Sequence, residues 1–166
     1  MAGTITLSAT LSPSARQARI LAICIPVMLL GGAYISEYVF GLYPCEMCWW
    51  QRDAHFVALA LALLSFFLPA KRLWIALAAL AILVSGAIGA FHAGVEYGWW
   101  EGLTTCTATS FGQSADPLEA VMNAPVIRCD DVQWEMFGIS MAGWNFLFST
   151  IGGLLILWLL ARKERA

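Results

Sequence analysis

Four long stretches of this chain, residues 20–36, 54–70, 73–95 and 136–161, contain no Asp, Glu, Lys or Arg and are dominated by apolar side chains. About 20 such residues cross the hydrocarbon core of a bilayer, and a helix satisfies its own backbone there, so each stretch predicts a spanning helix. Neutral flanks such as residues 48–51 lengthen the second stretch. The predicted spans are 20–38, 49–69, 73–95 and 140–161, in one integral-membrane domain covering 1–166. Pro69, Ala70, Lys71 and Arg72 alone separate the second span from the third, which makes those two antiparallel neighbours. The fold class expected is an all-α membrane protein, a four-transmembrane-helix bundle with loops at 39–48 and 96–139. Within the longer loop, Pro117 lies near the start of segment 116–123, after Ser114, and Leu118, Val121 and Met122 give that segment an apolar face, so a short surface helix is expected. The first stretch follows Arg16 and Arg19 as a signal peptide would, but it runs on through Tyr34 and Tyr38 without a small-x-small cleavage pattern. A retained helix is the expectation.

Composition agrees with a bilayer as solvent. Sixty per cent of the residues are hydrophobic and 12% are charged, about half the charged share of an average soluble domain. A net charge of −2, with no basic stripe, excludes nucleic acid as a partner. Of the nine Lys and Arg residues, all but Arg52 and Arg128 fall before the first span, between the second and third, or after the fourth. The excess of Lys and Arg on cytoplasmic loops therefore predicts that both termini are cytoplasmic and that both long loops face the periplasm of a bacterial inner membrane. Trp49, Trp50, Trp99, Trp100 and Trp144 fall near the periplasmic ends of the spans, as an aromatic belt would.

Four of the five cysteines lie in polar or boundary sequence, which suits an oxidising compartment. Cys45 and Cys48 form a Cys-x-x-Cys motif at the entrance to the second span. Free amide donors and the positive dipole end of a helix N-terminus favour thiolate, so such a pair cycles between dithiol and disulfide. Attachment of c-type haem requires a His where Trp49 stands, and a zinc ribbon requires a second Cys-x-x-Cys, whereas Cys106 and Cys129 are widely separated. A structural staple remains the competing reading for both pairs. For Cys106 and Cys129, closing the long loop would be worth about 3 kcal/mol by the chain-entropy argument. Two pairs on one face of a small bundle are also placed to exchange disulfides, provided the long loop reaches the first pair. Cys24, within the first span, reads as a small buried apolar residue without redox function.

Arg52 follows Cys48 by four residues and so shares its helical face one turn deeper. It is a candidate to stabilise the Cys48 thiolate and to hydrogen-bond an electron acceptor, against the simpler reading of an arginine that snorkels to headgroups. His92, near the periplasmic end of the third span, approaches the start of the second in an antiparallel pair. It is a candidate lining residue of the same site, against a packing role. His55 shares the Arg52 face and is the weaker candidate.

These residues together resemble the DsbB family of disulfide-bond formation proteins. The resemblance runs over 20–160 and is carried by Pro44, Cys45, Glu46, Met47, Cys48 and Arg52, by the loop from Cys106 to Cys129, and by Gln133 and Trp134 followed by Phe137 and Gly138. It implies four spans, two periplasmic cysteine pairs and a bound quinone, either ubiquinone or menaquinone. It also implies a periplasmic DsbA-like thioredoxin-fold partner whose dithiol attacks a Cys106–Cys129 disulfide through Cys106. Cys129 would then engage Cys45 and leave Cys48 as a thiolate beside the quinone, with Arg52 and His92 at the ring. A DsbA-like donor is too strongly oxidising for glutathione to accept its electrons, which explains why a respiratory quinone is wanted. The chain departs from the family in having Gln51 where Glu is frequent, and in the wording of the segment between Cys106 and Cys129.

Two other readings compete. A vitamin K epoxide reductase-like enzyme also combines helices, two cysteine pairs and a quinone, but its redox motif lies late in the chain, whereas Cys45 opens the second span. A non-catalytic membrane scaffold with stapled loops predicts no thiol turnover.

Overall fold

The computed structural model describes residues 11–102, 108–109 and 126–162. Four helices account for most of it: α1 (Pro13–Tyr38), α2 (Glu46–Phe67), α3 (Lys71–Glu96) and α4 (Met141–Ala161). Three of them, α1, α3 and α4, are long and apolar enough to cross a membrane. The 22 residues of α2 have the length, but Arg52, Asp53 and His55 make its first turns polar. Helix α1 starts well before the predicted span because apolarity marks membrane depth, not helix extent. Pro13 takes the first helical position, and the Ser12 hydroxyl accepts the Ala15 amide at 3.4 Å.

Small residues let the helices approach. The core is built from Ala15, Ala18, Ala22, Ala58, Ala62, Ala78 and Ala79 around Ile75, Ile82 and Ile156. Helices α3 and α4 meet at Gly89, where a Cβ would stand 2.9 Å from the Ala142 carbonyl oxygen. Large apolar side chains such as Val27, Phe67, Val84, Ile151 and Trp158 point outward, as a lipid-facing surface requires. Cys24 points outward as well, which corrects its reading as a buried residue: it lies on the outer face of α1.

The basic ends of the helices cluster. The Arg72 guanidinium donates to the Leu160 carbonyl, and Arg19 lies 3.9 Å over the Phe66 ring. The start of α1, the turn between α2 and α3 and the end of α4 therefore share one end of the bundle.

Two short ribbons occupy the long loop, which the sequence pattern left without strands. β1 (Ala108–Thr109) pairs antiparallel with β2 (Val126–Ile127), and β3 (Glu135–Met136) with β4 (Ile139–Ser140). Phe137 and Gly138 join the second ribbon with φ of 56° and 74°, the doubly left-handed two-residue turn that matches strand twist. The Tyr97 hydroxyl, just past α3, accepts the Ser140 amide at 2.7 Å and donates to the Gly138 carbonyl at 3.3 Å. Ser140 then caps α4 by accepting the Gly143 amide at 3.1 Å. Tyr97 thus ties the hairpin to the bundle end that carries Cys45. The expected surface helix at 116–123 and the loop cysteine Cys106 lie outside the described residues.

Candidate active site

Cys45 is the N-cap of α2 and Cys48 lies in its first turn, with their sulfurs 3.4 Å apart. The antiparallel α3 brings its C-terminal end to the same place. His92 Nε2 lies 3.5 Å from the Cys45 sulfur and 3.7 Å from Oε1 of Glu96, one turn further along α3. The other carboxylate oxygen of Glu96 is buried without a hydrogen-bond partner. Cys129 is disulfide-bonded and packs with Cys45, Met47 and Val95 in one buried cluster, and its backbone hydrogen-bonds His92. The loop therefore delivers a disulfide sulfur beside the Cys-x-x-Cys pair.

Cys45 precedes the helix, and its thiol is lowered from the ordinary 9.0 to about 4. The hydrogen bond from Cys48 contributes most; burial opposes it, and the hydrogen bond and charge of His92 add to it. Charge in the reduced pair thus sits on Cys45, with Cys48 as the thiol that donates to it.

Behind the sulfurs runs a chain of buried polar groups. Gln51 Nε2 lies 3.0 Å from His92 Nδ1 and donates to the Met47 carbonyl at 3.1 Å, while Gln51 Oε1 accepts from Asn145 Nδ2 at 2.7 Å. Asn145 Oδ1 in turn accepts from His55 Nε2 at 2.9 Å and from the Ser149 hydroxyl at 3.0 Å. Read from the donors, this chain sets both rings. Gln51 donates to His92 Nδ1, so the proton of His92 is on Nε2 and faces Cys45. His55 likewise carries its proton on Nε2, which leaves its buried Nδ1 without a partner. Only an amide at position 51 both donates to His92 and accepts from Asn145; a carboxylate would lose the donor.

Arg52 is 6% exposed, and its charge is met by Glu37 of α1. Its second nitrogen donates to the Ala33 carbonyl at 3.2 Å, and the guanidinium lies 4.9 Å from the Tyr34 ring centroid and 5.1 Å from that of Trp49. A cavity of about 250 Å³ opens between α1, α2 and α4. Met28, Leu29, Leu30 and Phe148 line its apolar side, and Cys45, Cys48, Arg52, His55 and His92 its polar end.

Comparison with known proteins decides the family. The family described as "Disulfide bond formation protein DsbB" matches residues 15–159. The chain belongs to the DsbB family. A "Disulfide bond formation protein B" of Verminephrobacter eiseniae is 32% identical over 84% of this chain and 82% of its own. The proteins of the same name from Acidovorax sp. and Marinobacter nauticus are 31% and 28% identical, over 89% and 81% of this chain and 87% and 85% of theirs. No solved structure matches. Membership in the DsbB family, with three helices able to cross a membrane, makes this a multi-pass membrane protein of disulfide-bond formation.

Of the residues that the sequence assigned to a DsbB site, Cys45, Cys48 and His92 converge, with their ligating atoms within 4.8 Å of one another. Cys129 joins them, and Arg52 lines the same cavity with its ion pair directed to Glu37. Glu37, Gln51, Glu96 and Asn145 were missed as working parts of the site. The signal for Asn145 was present: a lone amide inside an apolar span is costly unless partnered.

Proposed function

We propose that this protein reoxidises a periplasmic DsbA-like dithiol protein and delivers the electrons to membrane quinone. In this reading α2 is the fourth span, both termini are cytoplasmic, and Cys45, Cys48 and the long loop face the periplasm of the inner membrane. The observation that carries it is the burial of the disulfide-bonded Cys129 against Cys45, with Cys48 on a cavity that ends at Arg52.

A partner thiolate attacks Cys106 of the loop disulfide, forms a mixed disulfide and releases Cys129 as thiolate. Cys129 attacks Cys45 of an oxidised Cys45–Cys48 pair, breaks that bond and leaves Cys48 carrying the charge. The second thiol of the partner attacks its own mixed disulfide, freeing Cys106 and completing the partner's oxidation. Freed Cys106 attacks Cys129 of the Cys129–Cys45 disulfide, which restores the loop disulfide and releases Cys45 as thiolate, and His92 Nε2–H, held by Gln51, stabilises that charge. A quinone, when bound, accepts two electrons and two protons. The cavity suits its headgroup: an apolar wall for the ring, and at the polar end the Arg52 cation and the unpartnered His55 Nδ1. Arg52 supplies a fixed positive charge on the cavity that Cys48 lines, and Glu37 holds it in place.

Steady-state quinone reduction with a reduced DsbA-like donor tests the assignment. Cys45→Ala and Cys48→Ala are expected to abolish it, and ordinary turnover in either would defeat the mechanism. Arg52→His is expected to raise the quinone KM about ten-fold, the effect of roughly 1.4 kcal/mol of lost binding, in a folded protein. An unchanged KM would remove Arg52 from the quinone site.

A further inference from the structure

The reduced site has a second chemical capacity that electron transfer does not use. Two thiol sulfurs and an imidazole nitrogen are donor types that bind zinc-class cations, and here those of Cys45, Cys48 and His92 lie within 4.8 Å of one another. The separations are 3.4 Å from Cys45 Sγ to Cys48 Sγ and 3.5 Å from Cys45 Sγ to His92 Nε2. Bonds of about 2.3 Å to sulfur and 2.0–2.1 Å to nitrogen at tetrahedral angles require edges of about 3.8 Å between sulfurs and 3.5 Å between sulfur and nitrogen. The Cys45–His92 edge already fits, and the sulfurs need to part by a few tenths of an ångström.

A fourth donor stands beside them. The Glu96 side chain is 7% exposed, one of its oxygens is 3.7 Å from His92 Nε2, and the other has no hydrogen-bond partner. A carboxylate oxygen buried in that state is costly unless a proton or a cation meets it. We propose that the reduced protein binds one Zn²⁺ through Cys45, Cys48, His92 and Glu96, and that this binding blocks turnover.

Ligation uses the Nε2 lone pair, so the proton of His92 moves to Nδ1 and Gln51 turns its amide to offer Oε1 there. A His ligand with its other nitrogen donating to a carbonyl oxygen is the ordinary outer arrangement of such sites. The remaining thiol proton is released when the metal binds. Oxidation removes the site altogether, because the Cys45–Cys48 disulfide has no thiolate to offer. Zinc does not change oxidation state, so the ion holds the pair reduced until it leaves.

The test uses the full chain in detergent, with Cys24→Ser, Cys106→Ser and Cys129→Ser to remove other thiols. Reduced anaerobically and freed of reductant, it is titrated with Cd²⁺, read by thiolate-to-cadmium absorbance, and with Zn²⁺ against a chromogenic chelator. The expectation is one equivalent per reduced chain with release of protons, and none after oxidation. His92→Ala and Glu96→Gln should each weaken binding at least ten-fold with unchanged circular dichroism, and His92→Asn replaces the alanine variant if that one unfolds. Equal binding by the oxidised chain, or full affinity in either the His92 or the Glu96 variant, overturns the proposal. Neither result depends on quinone.

Discussion

At the scale of single residues, the position of one negative charge organises the site. Cys45 receives hydrogen bonds from Cys48 and His92 at the mouth of a helix, and its thiol is lowered to about 4 from 9.0. A group lowered in the folded state stabilises that state fully above its ordinary value and loses the contribution as pH falls through the lowered one. The reduced protein should therefore keep one thiolate per chain, by ultraviolet absorbance, down to about pH 4, with its stability declining across the window from 9.0 to about 4. A midpoint near 9 in the reduced protein would contradict this. Arg52 makes the complementary case for the cation. Glu37 is its carboxylate partner, and both side chains are largely buried, so Glu37→Gln strands a buried charge. A loss of about 3 kcal/mol is expected, read as a lower melting temperature in detergent, and an unchanged melting temperature would show the pair to be dispensable.

At the scale of elements, close helix packing determines whether the site forms. A Cβ at Gly89 would meet the Ala142 carbonyl oxygen at 2.9 Å and Asn145 Nδ2 at 3.0 Å. Backbone cannot yield as a side-chain tip does, so Gly89→Ala should cost about 1–3 kcal/mol and displace Asn145 from Gln51, lowering both melting temperature and thiol turnover. Full activity in that variant would show that α3 and α4 tolerate separation. The helices themselves were legible in the sequence because charge-free apolar runs mark long helices, and the shared face of Cys48 and Arg52 was legible because four-residue spacing fixes it. Gln51, Asn145 and Glu96 were not, because their roles depend on which faces of α2, α3 and α4 meet, and periodicity within one helix does not specify that. The left-handed Phe137 and Gly138 turn was visible as a motif but not as a hairpin, since two-residue strands are too short to show alternation.

At the scale of the molecule, the bundle separates two kinds of chemistry. Its basic end gathers Arg16, Arg19, Lys71, Arg72 and Arg162, and its other end gathers Cys45, Cys48 and Cys129, the belt of tryptophans and the tied hairpin. The cavity joins that second end to the apolar interior, and under the proposed function electrons arriving as thiols from water meet there a site open to a lipid-soluble acceptor. Anaerobic stopped-flow absorbance of the purified protein, mixed with a reduced DsbA-like donor and a soluble ubiquinone analogue, tests this most directly. One quinone should disappear for each donor dithiol oxidised, and none in Cys48→Ser. Donor oxidation without quinone loss, or quinone loss that persists in Cys48→Ser, would contradict a thiol-to-quinone path through this site.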